Sequence, residues 1–88
     1  MPASTAKENI EIDLLFFGAT ADISGVRRVK RRVSPEIKVS KMLEQVLGEY
    51  PKLSTLKLLV SLNREYSTGH EIIHDNDELA IFTAVSGG

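Results

Sequence analysis

One stretch of helical periodicity constrains this chain more than any other. Val39, Met42, Leu43, Val46, Leu47 and Tyr50 recur at i, i+3, i+4, i+7, i+8 and i+11. That spacing puts them on one stripe of an amphipathic helix of about three turns. Pro51 follows and stops it, because proline lacks an N–H and clashes with the preceding turn. Gly48 lies inside the helix and costs about 1 kcal/mol relative to alanine, which burial of the stripe must offset. Ser34 and Ser40 are the two candidate caps for its start. The other apolar runs are short and strand-like. A single helix has to bury its stripe against a sheet, so the chain is α+β: a mixed sheet of four to five strands over one main helix.

The strands follow from alternation. Between Asn9 and Phe17, Ile10, Ile12, Leu14 and Phe16 share one face, with Glu11 and Asp13 on the other. Toward the end of this strand the second face turns apolar as well, at Leu15 and Phe17. Gly18 to Gly25 reads as a loop, with Asp22, Ser24 and Gly25 as turn formers. Val26 to Val33 reads Val-Arg-Arg-Val-Lys-Arg-Arg-Val. Its β-branched residues favour a strand, and its cations suit an edge strand protected against pairing. A nucleic-acid patch is disfavoured, because 12 acidic residues balance 11 basic ones and leave a net charge of −1. The same cations can guide an acidic protein partner.

Leu53 to Leu56 reads as a connector, and Leu58 to Leu62 as a strand closed by Asn63-Arg64-Glu65. Tyr66 to Thr68 is a brief strand and Gly69 a turn. Ile72 and Ile73 lead into the acidic turn Asp75-Asn76-Asp77, and Leu79 to Phe82 form the last, buried strand. The two terminal strands are expected side by side and parallel at the sheet's centre.

Eighty-eight residues with 42% hydrophobic side chains make one small domain, expected over residues 9–84. Residues 1–8 lack the apolar run of a signal peptide and are expected to be a loose tail. No apolar run approaches membrane-spanning length, so no membrane contact is expected. Cysteine is missing from the sequence, which rules out a disulfide framework, a thiolate nucleophile and a cysteine metal site. His70 and His74 lie near Asp75, Asp77 and Glu78. That cluster reads as a solvated turn, and no metal is expected. Neither a phosphate-cradling glycine loop nor a Ser-His-Asp arrangement is present.

The end of the chain, Val85-Ser86-Gly87-Gly88, is expected as a flexible reactive tail over 85–88, the alternative on the tail alone being a frayed terminus without function. An α-carboxyl is ionised at neutral pH and is a poor acyl donor until joined to AMP as a mixed anhydride. The enzyme that does this must draw the terminus through a narrow channel. Gly87 and Gly88 have no Cβ and reach backbone conformations closed to other residues.

Alternation also predicts a docking surface. With Ile10, Ile12, Leu14 and Phe16 facing the helix, Leu15 and Phe17 face away. On the last strand Leu79 and Ile81 face in, leaving Ala80 and Phe82 outside, and Leu59 joins them from its own strand. An exposed cluster of two Phe and two Leu is costly unless a partner covers it.

Several stretches together carry a family resemblance. They are Leu15-Phe16-Phe17, Ala21-Asp22-Ile23-Ser24-Gly25-Val26, the helix closing at Tyr50-Pro51, Val60-Ser61-Leu62-Asn63-Arg64-Glu65-Tyr66, Asn76-Asp77-Glu78-Leu79-Ala80 and Val85-Ser86-Gly87-Gly88. With these the chain resembles the ubiquitin-like β-grasp sulfur carriers, and within them the small subunit of molybdopterin synthase. The likeness runs from Ile10 to the end. Thr83-Ala84 stand where that family often has two prolines, which makes the tail less stiff.

The resemblance implies that an E1-like adenylyl- and sulfurtransferase activates Gly88 with ATP and that a persulfide converts it to a thiocarboxylate. The tail then gives sulfur to cyclic pyranopterin monophosphate inside the large synthase subunit, in a heterotetramer of two small and two large subunits in the cytosol. It implies no permanently bound cofactor. Leu15, Phe17, Leu59, Ala80, Phe82 and Val85 would meet the partners, with Gly87 in the channel. Two alternatives share the Gly-Gly end: a sulfur carrier for thiamine or transfer-RNA thiolation, and a ubiquitin-like tag joined to lysines.

Overall fold

The computed structural model describes residues 9–84. The expected tails at 1–8 and 85–88 lie outside them. The elements in order are β1 (Ile10–Phe16), α1 (Ala19–Ser24), β2 (Arg28–Val33), α2 (Val39–Glu49), a 3₁₀ turn (Pro51–Thr55), β3 (Leu58–Leu62), β4 (Glu65–Tyr66) and β5 (Glu78–Thr83). They form a five-stranded sheet in the order β2-β1-β5-β3-β4. β1 and β5 run parallel, and the other neighbours are antiparallel. The last strand is therefore central and held by a partner on each side, as the alternation suggests. Among the described residues no helix is long and apolar enough to cross a membrane.

One face of the sheet packs on α2. Ile12, Leu14 and Phe16 from β1 and Leu79 and Ile81 from β5 meet Val39, Met42 and Val46 of the helix, with Leu53 and Ile73 completing the core. Phe16 also stacks edge-on against Tyr50, ring centroids 5.8 Å apart, a favoured aromatic geometry. Leu43 and Leu47 flank this core half-buried.

Neither candidate serine caps α2. Lys38 sits at the N-cap and makes no side-chain cap. The free N–H groups of Val39 and Ser40 donate instead to the carbonyls of Glu71 and Gly69, each at 3.0 Å. A distant loop thus does what a capping side chain does elsewhere, and a local reading of the sequence cannot find it.

The segment read as a loop is helical. Residues 19–24 form α1, closed by Gly25 in the left-handed conformation (φ 80°), where glycine carries no Cβ penalty. Six residues are too few for a recognisable stripe, and burial of Thr20 with half-burial of Ala21 and Ile23 against the core holds it. The connector after α2 is likewise a 3₁₀ turn anchored by buried Leu53.

The brief strand is also shifted, to Glu65–Tyr66. Thr68 leaves the sheet because its N–H and hydroxyl donate to the Glu71 carboxylate at 3.1 and 3.3 Å. Asn63 and Arg64, with φ of 52° and 73°, make the turn between β3 and β4.

Candidate functional site

Among the described residues, no helix covers the face of the sheet turned away from α2. Leu15, Phe17, Ala80 and Phe82 line one groove there, together with Gly18, Ser61 and Thr83. Register explains the grouping. Leu15 stands opposite Ala80 across the parallel pair, and Ser61 stands opposite Ala80 across the antiparallel one, so their side chains share a face. Leu59 stands opposite Phe82 but lines a separate depression with Tyr66 and Leu43. Tyr66, itself exposed, reaches Phe82 with a centroid distance of 6.1 Å. It extends the apolar strip to the sheet's edge, and the sequence reading missed it.

The cluster is less exposed than alternation alone suggests. Leu15 and Ala80 are buried, 9% and 7% exposed, and Phe82 is half-buried, while Phe17 is 52% exposed. Leu15 lies between Arg28 and Ala80 on the two neighbouring strands, and cross-strand neighbours at this spacing cover one another. The floor of the groove is therefore part of the fold, and Phe17, Phe82 and Tyr66 are what it presents.

Charge frames the apolar strip. Arg28 donates to Asp13 at 2.9 Å and Lys30 donates to the same carboxylate at 3.1 Å. Arg28 and Arg64 lie 3.8 and 3.6 Å from Glu78. The bond from Arg28, then that from Lys30, holds the Asp13 carboxyl below its usual range, and Asp13 in turn raises the Arg28 guanidinium. Both carboxylates are largely covered while the cations stay open: side-chain exposure is 59% for Arg28, 67% for Lys30 and 88% for Arg64, against 18% and 25% for Asp13 and Glu78. An approaching surface meets cations around an apolar centre.

At one end of the groove a single buried hydroxyl joins three segments. The Thr20 hydroxyl accepts from the Phe17 N–H at 3.0 Å, and its one proton is within donating distance of both the Phe17 carbonyl at 2.7 Å and the Ile81 carbonyl at 2.8 Å. Phe17 N–H also reaches the Ile81 carbonyl at 3.2 Å. Thr20 is fully buried. It lies in the segment read as a loop, so nothing in the sequence pattern singled it out.

The acidic turn is architectural. Asp75 accepts the Glu11 N–H at 2.8 Å, and Asp77 accepts the His74 N–H at 2.7 Å and the Asn63 side chain at 3.0 Å. Val85, Gly87 and Gly88 lie outside the described residues. β5 ends at Thr83, directly beside the groove.

A mixed sheet wrapped on one helix, its C-terminal strand central and parallel to the first, defines a ubiquitin-like β-grasp domain. Within that class the chain belongs to the ThiS family, which it matches over residues 14–88. It is 29% identical over 82 residues to the molybdopterin synthase sulfur carrier subunit of Arabidopsis thaliana, covering 91% of this chain and 85% of that protein. The crystal structure of SAMP1 from Haloferax volcanii is similar at a TM-score of 0.76 and 28% identity, over 89% of this chain and 99% of that one. A chain from the complex of subunits 1 and 2 of the molybdopterin-converting factor of Helicobacter pylori shares the fold at a TM-score of 0.61 and 18% identity, over 90% and 100%.

Proposed function

We propose that this chain is the sulfur carrier subunit of a molybdopterin synthase, acting in the cytosol through Gly88. The observation that carries the reading is similarity along nearly the full length of a carrier subunit, joined to a central last strand that ends at Thr83 beside an apolar groove. An E1-like enzyme, spending ATP, joins the Gly88 carboxylate to AMP and releases pyrophosphate. A persulfide sulfur displaces AMP and leaves an acyl disulfide; a second thiol of the activating enzyme then attacks that S–S bond, forming a disulfide with the donor sulfur and releasing the thiocarboxylate. Sulfur is the better nucleophile, so the thiocarboxylate attacks a carbon of the pterin precursor, an oxygen substituent leaves that carbon, and water cleaves the resulting thioester, returning the Gly88 carboxylate and leaving the sulfur on the pterin as a thiolate. The side chains of this domain bind and orient. Phe17, Phe82 and Tyr66 meet the large subunit and, in turn, the activating enzyme, while Gly87 passes the channel. Two small and two large subunits make the working complex.

Intact mass spectrometry tests this. The chain is incubated with ATP, the activating enzyme and a sulfur donor, then with the large subunit and cyclic pyranopterin monophosphate. Exchange of one oxygen for sulfur at Gly88, followed by molybdopterin formation, is expected. A thiocarboxylate that forms but never yields molybdopterin assigns the carrier to thiamine or transfer-RNA thiolation. The similarity to SAMP1 favours a second reading, a protein modifier, for which the product is an isopeptide on a target lysine.

A further inference from the structure

We infer that Thr20 is a positioning residue for partner docking, its hydroxyl locking Phe17 and Phe82 into one rigid surface. The inference rests on the reading of the groove as the docking face. The aligned register of β1 and β5 ends at Phe16 and Ile81. One long rung follows, from Phe17 N–H to the Ile81 carbonyl at 3.2 Å. After it the chain turns away at Gly18 (φ 59°), and Phe82 and Thr83 pair with β3 alone. Phe17, exposed, and Phe82, half-buried, thus sit at the point where the two central strands part. There the Thr20 hydroxyl reaches the Phe17 backbone and the Ile81 carbonyl together.

Packing does not explain a hydroxyl at this position. Thr20 is fully buried, valine has nearly its shape, and a buried hydroxyl is unfavourable unless bonded. Local capping does not explain it either. The bonds to Phe17 would serve to start α1, but the one to Ile81 spans 61 residues of sequence and adds nothing to the helix. What that bond does is hold β5 to the end of β1, one residue before Phe82. Without it the last rung frays, Phe17 and Phe82 move independently, and ordering them on contact weakens binding.

The test is association of the whole chain with the molybdopterin synthase large subunit, measured by calorimetry and by sulfur transfer from the thiocarboxylated form. Thr20→Val is expected to raise Kd and KM about tenfold while kcat at saturation holds. Thr20→Ser, which restores the hydroxyl, is expected to stay within about twofold of the unmodified chain. Leu53→Ala, in the core on the other side of the sheet, serves as the stability control: it lowers the thermal midpoint and leaves Kd unchanged. Equal binding by Thr20→Val and the unmodified chain overturns the inference, as does equal weakening by Leu53→Ala. Should Thr20→Val fail to fold, Thr20→Ser decides, and weakening beyond twofold overturns it. No binding by the unmodified chain overturns the docking face itself, a result separable from the others.

Discussion

Leu15 and Ala80 stand opposite one another on the two parallel central strands, and both are buried although they point away from α2. Their neighbours along the same face, Phe17 and Phe82, stay partly open. The groove thus separates into a floor that belongs to the fold and a pair of aromatics that are available to a partner. Aromatic side chains that become buried at the centre of an interface carry much of its energy.

Phe82→Asp should therefore weaken association with the large subunit by at least ~2 kcal/mol, a Kd change on the order of thirtyfold. The circular dichroism spectrum should be unchanged, because Phe82 is only half-buried. Leu15→Asp should behave differently and unfold the chain, since it would bury an unpaired carboxylate. Unaltered binding by Phe82→Asp would remove the groove from the docking surface.

The second prediction concerns Arg64, which holds φ 73° at the tip of the turn between β3 and β4. That region disfavours side-chain-bearing residues by roughly 1–2 kcal/mol, and two-residue hairpin turns favour Asn-Gly. Arg64→Gly should therefore raise stability by about 1 kcal/mol in urea denaturation. The same change removes an exposed cation from the groove's rim. It should slow association with an acidic partner at low salt, an effect that fades above about 0.5 M salt as screening tightens. Destabilisation by glycine would mean that the contact with Glu78 outweighs the backbone strain.

Glu71 contributes a pH dependence to stability. Its carboxylate accepts from the Ser67 hydroxyl at 2.5 Å and from the N–H groups of Thr68 and Gly69 at 3.1 and 3.2 Å. Those bonds, Ser67's foremost, hold its pKa down to about 2 from 4.5. The ordered loop in turn caps α2 through the carbonyls of Gly69 and Glu71. A carboxylate with a depressed folded-state pKa stabilises the fold above its unfolded value, and that stabilisation disappears as pH falls through the folded one. Glu71→Gln should therefore lower the urea midpoint at pH 7. Its deficit should shrink between about pH 4.5 and about pH 2. A deficit constant over that window would mean that the side chain acts through shape alone.

The sequence pattern carried much of this architecture, and the gaps have physical causes. Alternation in β1 and β5 put Leu15, Phe17, Ala80 and Phe82 on one face because the strand period is two and fixes the face once the core side is known. The stripe from Val39 to Tyr50 fixed the helix for the same kind of reason. What eluded reading depends on contacts between distant segments. α1 is held by Thr20 reaching Ile81, and α2 is capped from residues 69–71. The separation of Leu59 from the groove reflects how neighbouring side chains fill space, which register alone does not specify. Tyr66 joined Phe82 because a tight turn brought β4 beside β3.

The last prediction separates docking from chemistry at Gly87. Activation needs the terminal carboxylate to reach the α-phosphate of ATP along a channel with little room beside the backbone. Valine at position 87 adds a β-branched side chain that stiffens the chain and removes the positive-φ conformations open to glycine. Gly87→Val should cut adenylation, followed by pyrophosphate release, by at least about a hundredfold, equivalent to ~2.7 kcal/mol in the barrier. Binding of the domain to the activating enzyme should change by less than about threefold, because the substitution leaves Phe17, Phe82 and Tyr66 intact. Gly87→Ala should fall between the two, since alanine adds bulk without branching. Full adenylation of Gly87→Val would show that the terminus needs no narrow passage, and that the glycines serve some other step.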